Sequence, residues 1–189
     1  MKDALTFVIV ALSDLYVITF FLRLAMGWAR VDFRNPLAQF VVRVTNPLVM
    51  PARRFIPPLG GVDLATLVVM VAVQCLATGL LVQVACVGDV QFGQVIVLGV
   101  MRLVDLVLNL YFWLLIVYVV ASWVASGGYN PALAVLTAVV EPVLAPLRRV
   151  IPVIGGLDLS PIFAFLALGF LQRVLPSGQA LSGVLCLGF

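Results

Sequence analysis

The sequence predicts an all-α membrane protein: four transmembrane helices as two tandem parallel repeats, each built as helix, interfacial elbow with a short amphipathic helix, and helix. Three observations predict it. Of the 189 residues, 64% are hydrophobic and 10% charged, and the mean hydropathy is +1.23. A soluble domain of this size has no way to bury that much apolar surface. Four apolar stretches, at about 4–28, 64–85, 95–125 and 159–175, are candidates for crossing a bilayer, which takes roughly 20 residues; 95–125 is longer and is expected to tilt or project from it. Finally, residues 35–64 and 130–159 align without a gap at an offset of 95, with 13 of 30 positions identical. The shared residues are mostly Pro, Gly, Arg, Asn and Asp, not easily matched aliphatics, so the chain carries a duplicated unit.

The first repeat takes residues 1–92 and the second 93–189. Residues 4–28 are too long for a signal peptide core, hold Asp14 and Arg23, and lack a small-residue cleavage site, so they are expected to stay as a membrane helix. Arg23, near its inner end, is expected to snorkel to the headgroups. Asn35-Pro36 reads as an N-cap with proline at the first helical position. Residues 37–45 then carry Leu37, Phe40, Val41 and Val44 at helical spacing, with Gln39, Arg43 and Asn46 on another face. That is a short amphipathic helix lying in the interface.

Asn46-Pro47 is expected to stop this helix, because the residue before proline is pushed out of the helical region. Pro47, Pro51, Pro57 and Pro58 then stiffen an elbow that carries Arg53 and Arg54, and these prolines are expected to keep the arginines out of a helix. Gly60-Gly61 supplies a turn, and Asp63 starts the returning span, where an acid suits the helix N-terminus. The second repeat follows the same order. A short helix at 131–140 leads to Glu141-Pro142, Pro146, Arg148-Arg149, Ile151-Pro152, Gly155-Gly156 and Asp158. The match extends into the first helix of each unit, where Asp14 pairs with Asn109 and Trp28 with Trp123. Within the spans, Gly79, Gly99 and Gly169 are positions where helices could approach closely.

A unit with two spans returns to its starting side, so both elbows face one compartment and the repeats are parallel. The elbow regions hold Arg30, Arg34, Arg43, Arg53, Arg54, Arg148 and Arg149, whereas the connection at 87–94 holds only Asp89. The positive-inside rule then predicts cytoplasmic elbows and both termini outside, in a bacterial inner membrane.

Two copies of a span, an Asn-Pro segment, Pro-x-Arg-Arg-x-Ile-Pro, Gly-Gly-x-Asp-Leu and a second span resemble the YggT family of bacterial and plastid membrane proteins. The resemblance covers nearly the whole chain. Glu141 in place of Asn46 and Val153 in place of Pro58 are differences between the two copies. The resemblance implies a link to osmotic-shock tolerance and cation homeostasis in bacteria, and to nucleoid distribution and cytochrome assembly in plastids. It implies no catalytic residue.

Candidate functional residues form two groups. Arg53, Arg54, Arg148 and Arg149 make the first. Guanidinium groups pair bidentately with phosphate or carboxylate, so a stiff elbow would present them to anionic headgroups or to a membrane or cytoplasmic protein partner. The plainer reading is that they only fix topology. Asp14, Arg102, Asp105, Asn109 and Arg173 form an intramembrane polar group. Such residues are costly in hydrocarbon and normally pair or line a water-filled path. Asp14 and Asp105 are expected to be paired, with Arg102 or Arg173 as partners. Three cysteines without histidine or CxxC predict neither metal site nor cofactor. Without histidine, P-loop or GxGxxG no enzyme is expected, and a charge of +3 predicts no direct nucleic-acid binding. The expected function is a non-enzymatic scaffold, assembly or docking factor using its Arg-Arg elbows. The alternative is a small cation transport or channel component acting as a homo-oligomer.

Overall fold

The computed structural model describes residues 2–29, 31, 35–58, 61, 63–85, 91–124, 130–151 and 158–175. Among these residues all regular structure is helical: α1 (Lys2–Trp28), α2 (Pro36–Ala52), α3 (Leu64–Ala85), α4 (Phe92–Val124), α5 (Pro131–Val150) and α6 (Ser160–Val174). Each repeat supplies three helices. At 1.5 Å per residue, α1, α3 and α4 are about 40, 33 and 50 Å long, enough for a hydrocarbon core of about 30 Å. By length and apolar composition α5, with 20 residues, also qualifies as a span, while α6 has 15. The offset of 95 aligns the two repeats helix by helix. It pairs α5 with α2, and α5 carries Glu141, two internal prolines and a terminal Arg148-Arg149. It pairs α6 with α3.

Within the first repeat α1 packs on α3, and within the second α4 packs on α6; α3 and α4 join the two units. The two elbow helices also touch. Asn35 Oδ1 accepts from Leu37 N and Asn130 Oδ1 from Ala132 N, each at 2.9 Å, so both asparagines cap their helices. Asn35 Nδ2 additionally donates to the Pro131 carbonyl at 2.8 Å. The elbows therefore lie at the same end of the bundle, as a parallel duplication requires. Val17, Phe20, Val49, Ala65 and Met70 form one core between α1, α2 and α3, completed by Leu103 of α4. Leu115 packs with Val140, Leu144, Ala164 and Leu168 in the second repeat. Ala25, Met26, Ala38, Val41 and Val139 bridge the repeats beside the elbows.

The glycines of the spans separate into different cases. A Cβ on Gly99 would meet Cys75 Sγ at 2.9 Å and Cys75 Cα at 3.0 Å, so α3 and α4 approach here because Gly99 has no side chain. Gly79 has ordinary room, with Val95 at 3.6 Å, and Gly169 has nothing within 4 Å.

The prolines do not stop the elbow helices. α2 continues through Asn46, Pro47 and Pro51 to Ala52, and α5 through Pro142 and Pro146 to Val150. Prolines four apart remove ladder bonds along one stripe of the helix only. The opposite stripe of α2 stays packed through Ala38, Val41, Thr45 and Val49, and Arg53 N still donates to the Val49 carbonyl at 2.9 Å. Each interior proline costs about 3 kcal/mol in an isolated helix; the buried face offsets it. Phe40 and Leu37, expected on one apolar face with Val41, instead point away from the core and are exposed.

The turn beyond α2 is formed as expected at Gly61, whose φ of +86° favours glycine. Arg30, Asp32, Arg34, Gly60, Asp89, Pro152, Val153, Gly155 and Gly156, the turn at 126–129, the stop at 176–178, Cys86 and Cys186 lie outside the described residues.

Candidate functional site at the two elbows

In the first elbow Asp63 is the anchor. It precedes α3, where its Oδ2 accepts from Thr66 Oγ1 at 2.6 Å and its Oδ1 from Thr66 N at 3.4 Å. Arg53, the C-cap of α2, donates to the same carboxylate from Nη2 at 2.5 Å. The elbow is thus closed by an ion pair between the end of one helix and the start of the next. Burial pushes the Asp63 carboxyl up, but the hydrogen bonds from Arg53 and Thr66 outweigh it and hold the group below the usual carboxylate range.

A third element enters from α1. Arg23 does not snorkel: it is only 7% exposed. Its Nη1 donates to Thr45 Oγ1 at 2.6 Å, Asn46 Oδ1 at 2.9 Å and the Val42 carbonyl at 3.4 Å. Its Nε lies 3.8 Å from Asp63 Oδ2. Arg23 therefore ties α2 to α1 through Val42, Thr45 and Asn46, in the turn that leads into Pro47.

The second elbow solves the same problem with other residues. Arg148 donates from Nε to Asp158 Oδ2 at 2.8 Å, from Nη1 to both Glu141 oxygens at 3.0 and 2.9 Å, and from Nη2 to Tyr118 Oη at 3.0 Å. Asp158 Oδ1 accepts from Ser160 N at 2.9 Å. Burial pushes the Asp158 carboxyl up, and the bonds from Ser160 and Arg148 outweigh it and hold it below its ordinary range. At the offset of 95, Tyr118 occupies the place of Arg23 and Glu141 that of Asn46. The exchange is a matched pair. The first elbow joins two arginines to one acid, and the second joins one arginine to two acids.

The four elbow arginines thus divide. Arg53 and Arg148 are tied to their own elbows. Arg54 and Arg149 are exposed and have no ion-pair or hydrogen-bond partner among the described residues. Arg148 and Arg149 lie in the last turn of α5, so the prolines do not keep them out of a helix.

Of the intramembrane group, the structure brings Asp14 and Arg102 together, with Nη2 to Oδ1 at 3.4 Å between α1 and α4. Asp105, Asn109 and Arg173 join no ion pair among the described residues; Asn109 and Arg173 are exposed. Sequence reasoning missed Arg23, Tyr118 and the anchoring role of Asp63 and Asp158. The available signal was the simultaneous departure from the repeat at 23/118 and 46/141.

Beside the first elbow lies an open groove of about 1170 Å³. Phe21, Leu24, Trp28 and Leu67 form its apolar wall, and Arg23, Gln39, Arg43, Asn46, Arg53 and Asp63 its polar end. Asp14, Arg102 and Asp105 do not line it.

The family model described as CCB3/YggT matches residues 2–84 and again 97–179. The chain is 40% identical over 181 residues to "Uncharacterized protein PA0392" of Pseudomonas aeruginosa, covering 95% of this chain and 92% of that one. It is 38% identical over 167 residues to "Uncharacterized protein YggT" of Escherichia coli strain K12, covering 88% and 86%. It is 40% identical over 84 residues to "YlmG homolog protein 2, chloroplastic" of Arabidopsis thaliana, covering 43% and 30%. No solved structure matches.

Proposed function

The chain belongs to the CCB3/YggT family, and from that premise we propose that it is a non-enzymatic membrane docking protein whose two elbows present Arg54 and Arg149 to an acidic partner surface. The observation that carries this reading is the division inside each Arg-Arg pair. One arginine of each pair closes the elbow against its own aspartate, and the other is exposed without a partner among the described residues. Topology alone needs charge; it does not need one arginine held and one displayed in each of two copies. The excess of arginine at the elbows supports a cytoplasmic position for them and outside termini, in the bacterial inner membrane. Transport is the weaker reading, because the large groove sits at the elbow and is not lined by Asp14 or Asp105.

The test is the Arg54→Ala/Arg149→Ala variant in cells lacking the native protein, scored by membrane level, cross-linked partners and survival of osmotic shock. The expected result is normal insertion with loss of the cross-links and of survival. Arg53→Ala/Arg148→Ala is expected to lower the level of folded protein instead. Wild-type cross-links and survival in the first variant would remove the support for docking.

A further inference from the structure

We infer that the groove of the first repeat binds one anionic phospholipid, with its phosphate at Arg43 and Arg53 and an acyl chain along Phe21, Leu24 and Trp28. This site is separate from the outward arginines and does not depend on them. Its volume of about 1170 Å³ exceeds the roughly 300–1,000 Å³ of small-ligand pockets. It is only partly enclosed, so a long chain can enter from the surface. Charge and shape agree. Three arginines, Arg23, Arg43 and Arg53, face one carboxylate, Asp63, so the polar end keeps a positive excess. Arg23 is held by Thr45 and Asn46, but Arg43 is exposed and has no ion-pair partner among the described residues. The apolar wall belongs to α1 and α3, which are long and apolar enough to cross the membrane, so an acyl chain can lie against them beside the polar end.

The duplication supplies an internal control. At the offset of 95, Gln39 becomes Ala134, Arg43 becomes Ala138, Asn46 becomes Glu141 and Arg23 becomes Tyr118. Trp28 and Arg53 are kept as Trp123 and Arg148. The second elbow folds without Gln39 and Arg43, so the fold itself does not require them. Arg148 moreover already makes four hydrogen bonds, to Glu141, Asp158 and Tyr118, and two acids offset its charge. The phospholipid site is therefore assigned to the first repeat alone, one lipid per chain.

The test uses the full-length protein in detergent micelles with a single tryptophan at Trp28 or, as the comparison, at Trp123. Brominated phosphatidylglycerol is titrated in and fluorescence quenching is read. Trp28 is expected to reach half-quenching at a mole fraction at least about fivefold lower than Trp123. Arg43→Ala/Gln39→Ala, which installs the residues of the second repeat, is expected to abolish that difference without lowering thermal stability. Arg54→Ala/Arg149→Ala is expected to leave it intact, which separates this site from the docking surface. Equal quenching of both tryptophans overturns the proposal. So does an equal response to brominated phosphatidylcholine, which would mean an apolar contact without anion recognition. Displacement by millimolar inorganic phosphate would show a free-phosphate site and overturn the lipid assignment. Loss of the difference in Arg54→Ala/Arg149→Ala would transfer lipid binding to the outward arginines and overturn the groove assignment.

Discussion

Exchanging the elbow residues between repeats tests whether Arg23 holds the first elbow. Arg23→Tyr installs the residue of the second repeat. It removes two short bonds from a guanidinium, to Thr45 at 2.6 Å and Asn46 at 2.9 Å, and one of the two cations near Asp63. Hydrogen bonds to charged groups contribute about 1.5–3 kcal/mol each, so the gross loss is about 3–6 kcal/mol. Asn46 is half-buried at the groove and regains water, which places the expected loss near the lower limit, about 3 kcal/mol. For a domain of this size that lowers the melting temperature by roughly 6–12 °C. Adding Asn46→Glu gives Arg53 the acidic neighbour that Arg148 has in Glu141. The double variant is expected to recover about 1–2 kcal/mol over Arg23→Tyr, a coupling typical of residues in one network. Thermal unfolding in detergent, followed by circular dichroism, reads both effects. A melting temperature for Arg23→Tyr within about 1 °C of wild type would refute the pinning role, and no recovery in the double variant would refute the shared network.

Gly99→Ala places a Cβ against the Cys75 backbone at 3.0 Å and is expected to cost about 1–3 kcal/mol in the same unfolding assay, whereas Gly79→Ala, with its nearest neighbour at 3.6 Å, is expected to cost nothing. The Asp63 carboxyl is held below its ordinary value, so its contribution to stability is present above about pH 3.9 and is lost as pH falls through the lower folded value; a melting-temperature profile in acid should lose this limb in Asp63→Asn. Asp14→Asn keeps an acceptor for Arg102 and should preserve the folded yield better than Asp14→Leu, with equal losses counting against a pairing role. A reporter active only in the cytoplasm, fused after Phe189, is expected to be silent, and a strong signal there would reverse the topology.

Much of this architecture follows from local pattern. Apolar runs mark the long helices, Asn35 and Asn130 mark caps, and the constant offset of 95 marks the duplication, because each depends on residues close in sequence or on self-comparison. Local rules misread the elbow helices. The penalty at Asn46-Pro47 and Glu141-Pro142 is a preference of a few kcal/mol, and packing of Val41, Thr45, Val49 and Leu144 against the neighbouring helices overrides it. The role of Arg23 was equally hidden. An arginine near a helix end snorkels when nothing accepts from it, and here Thr45 and Asn46, 22 and 23 residues further on, do accept. That two arginines stand in each elbow is plain from the chain itself. Which of the two is held became visible only in three dimensions, because the choice rests on the distance to Asp63 or Asp158, ten residues further along the chain.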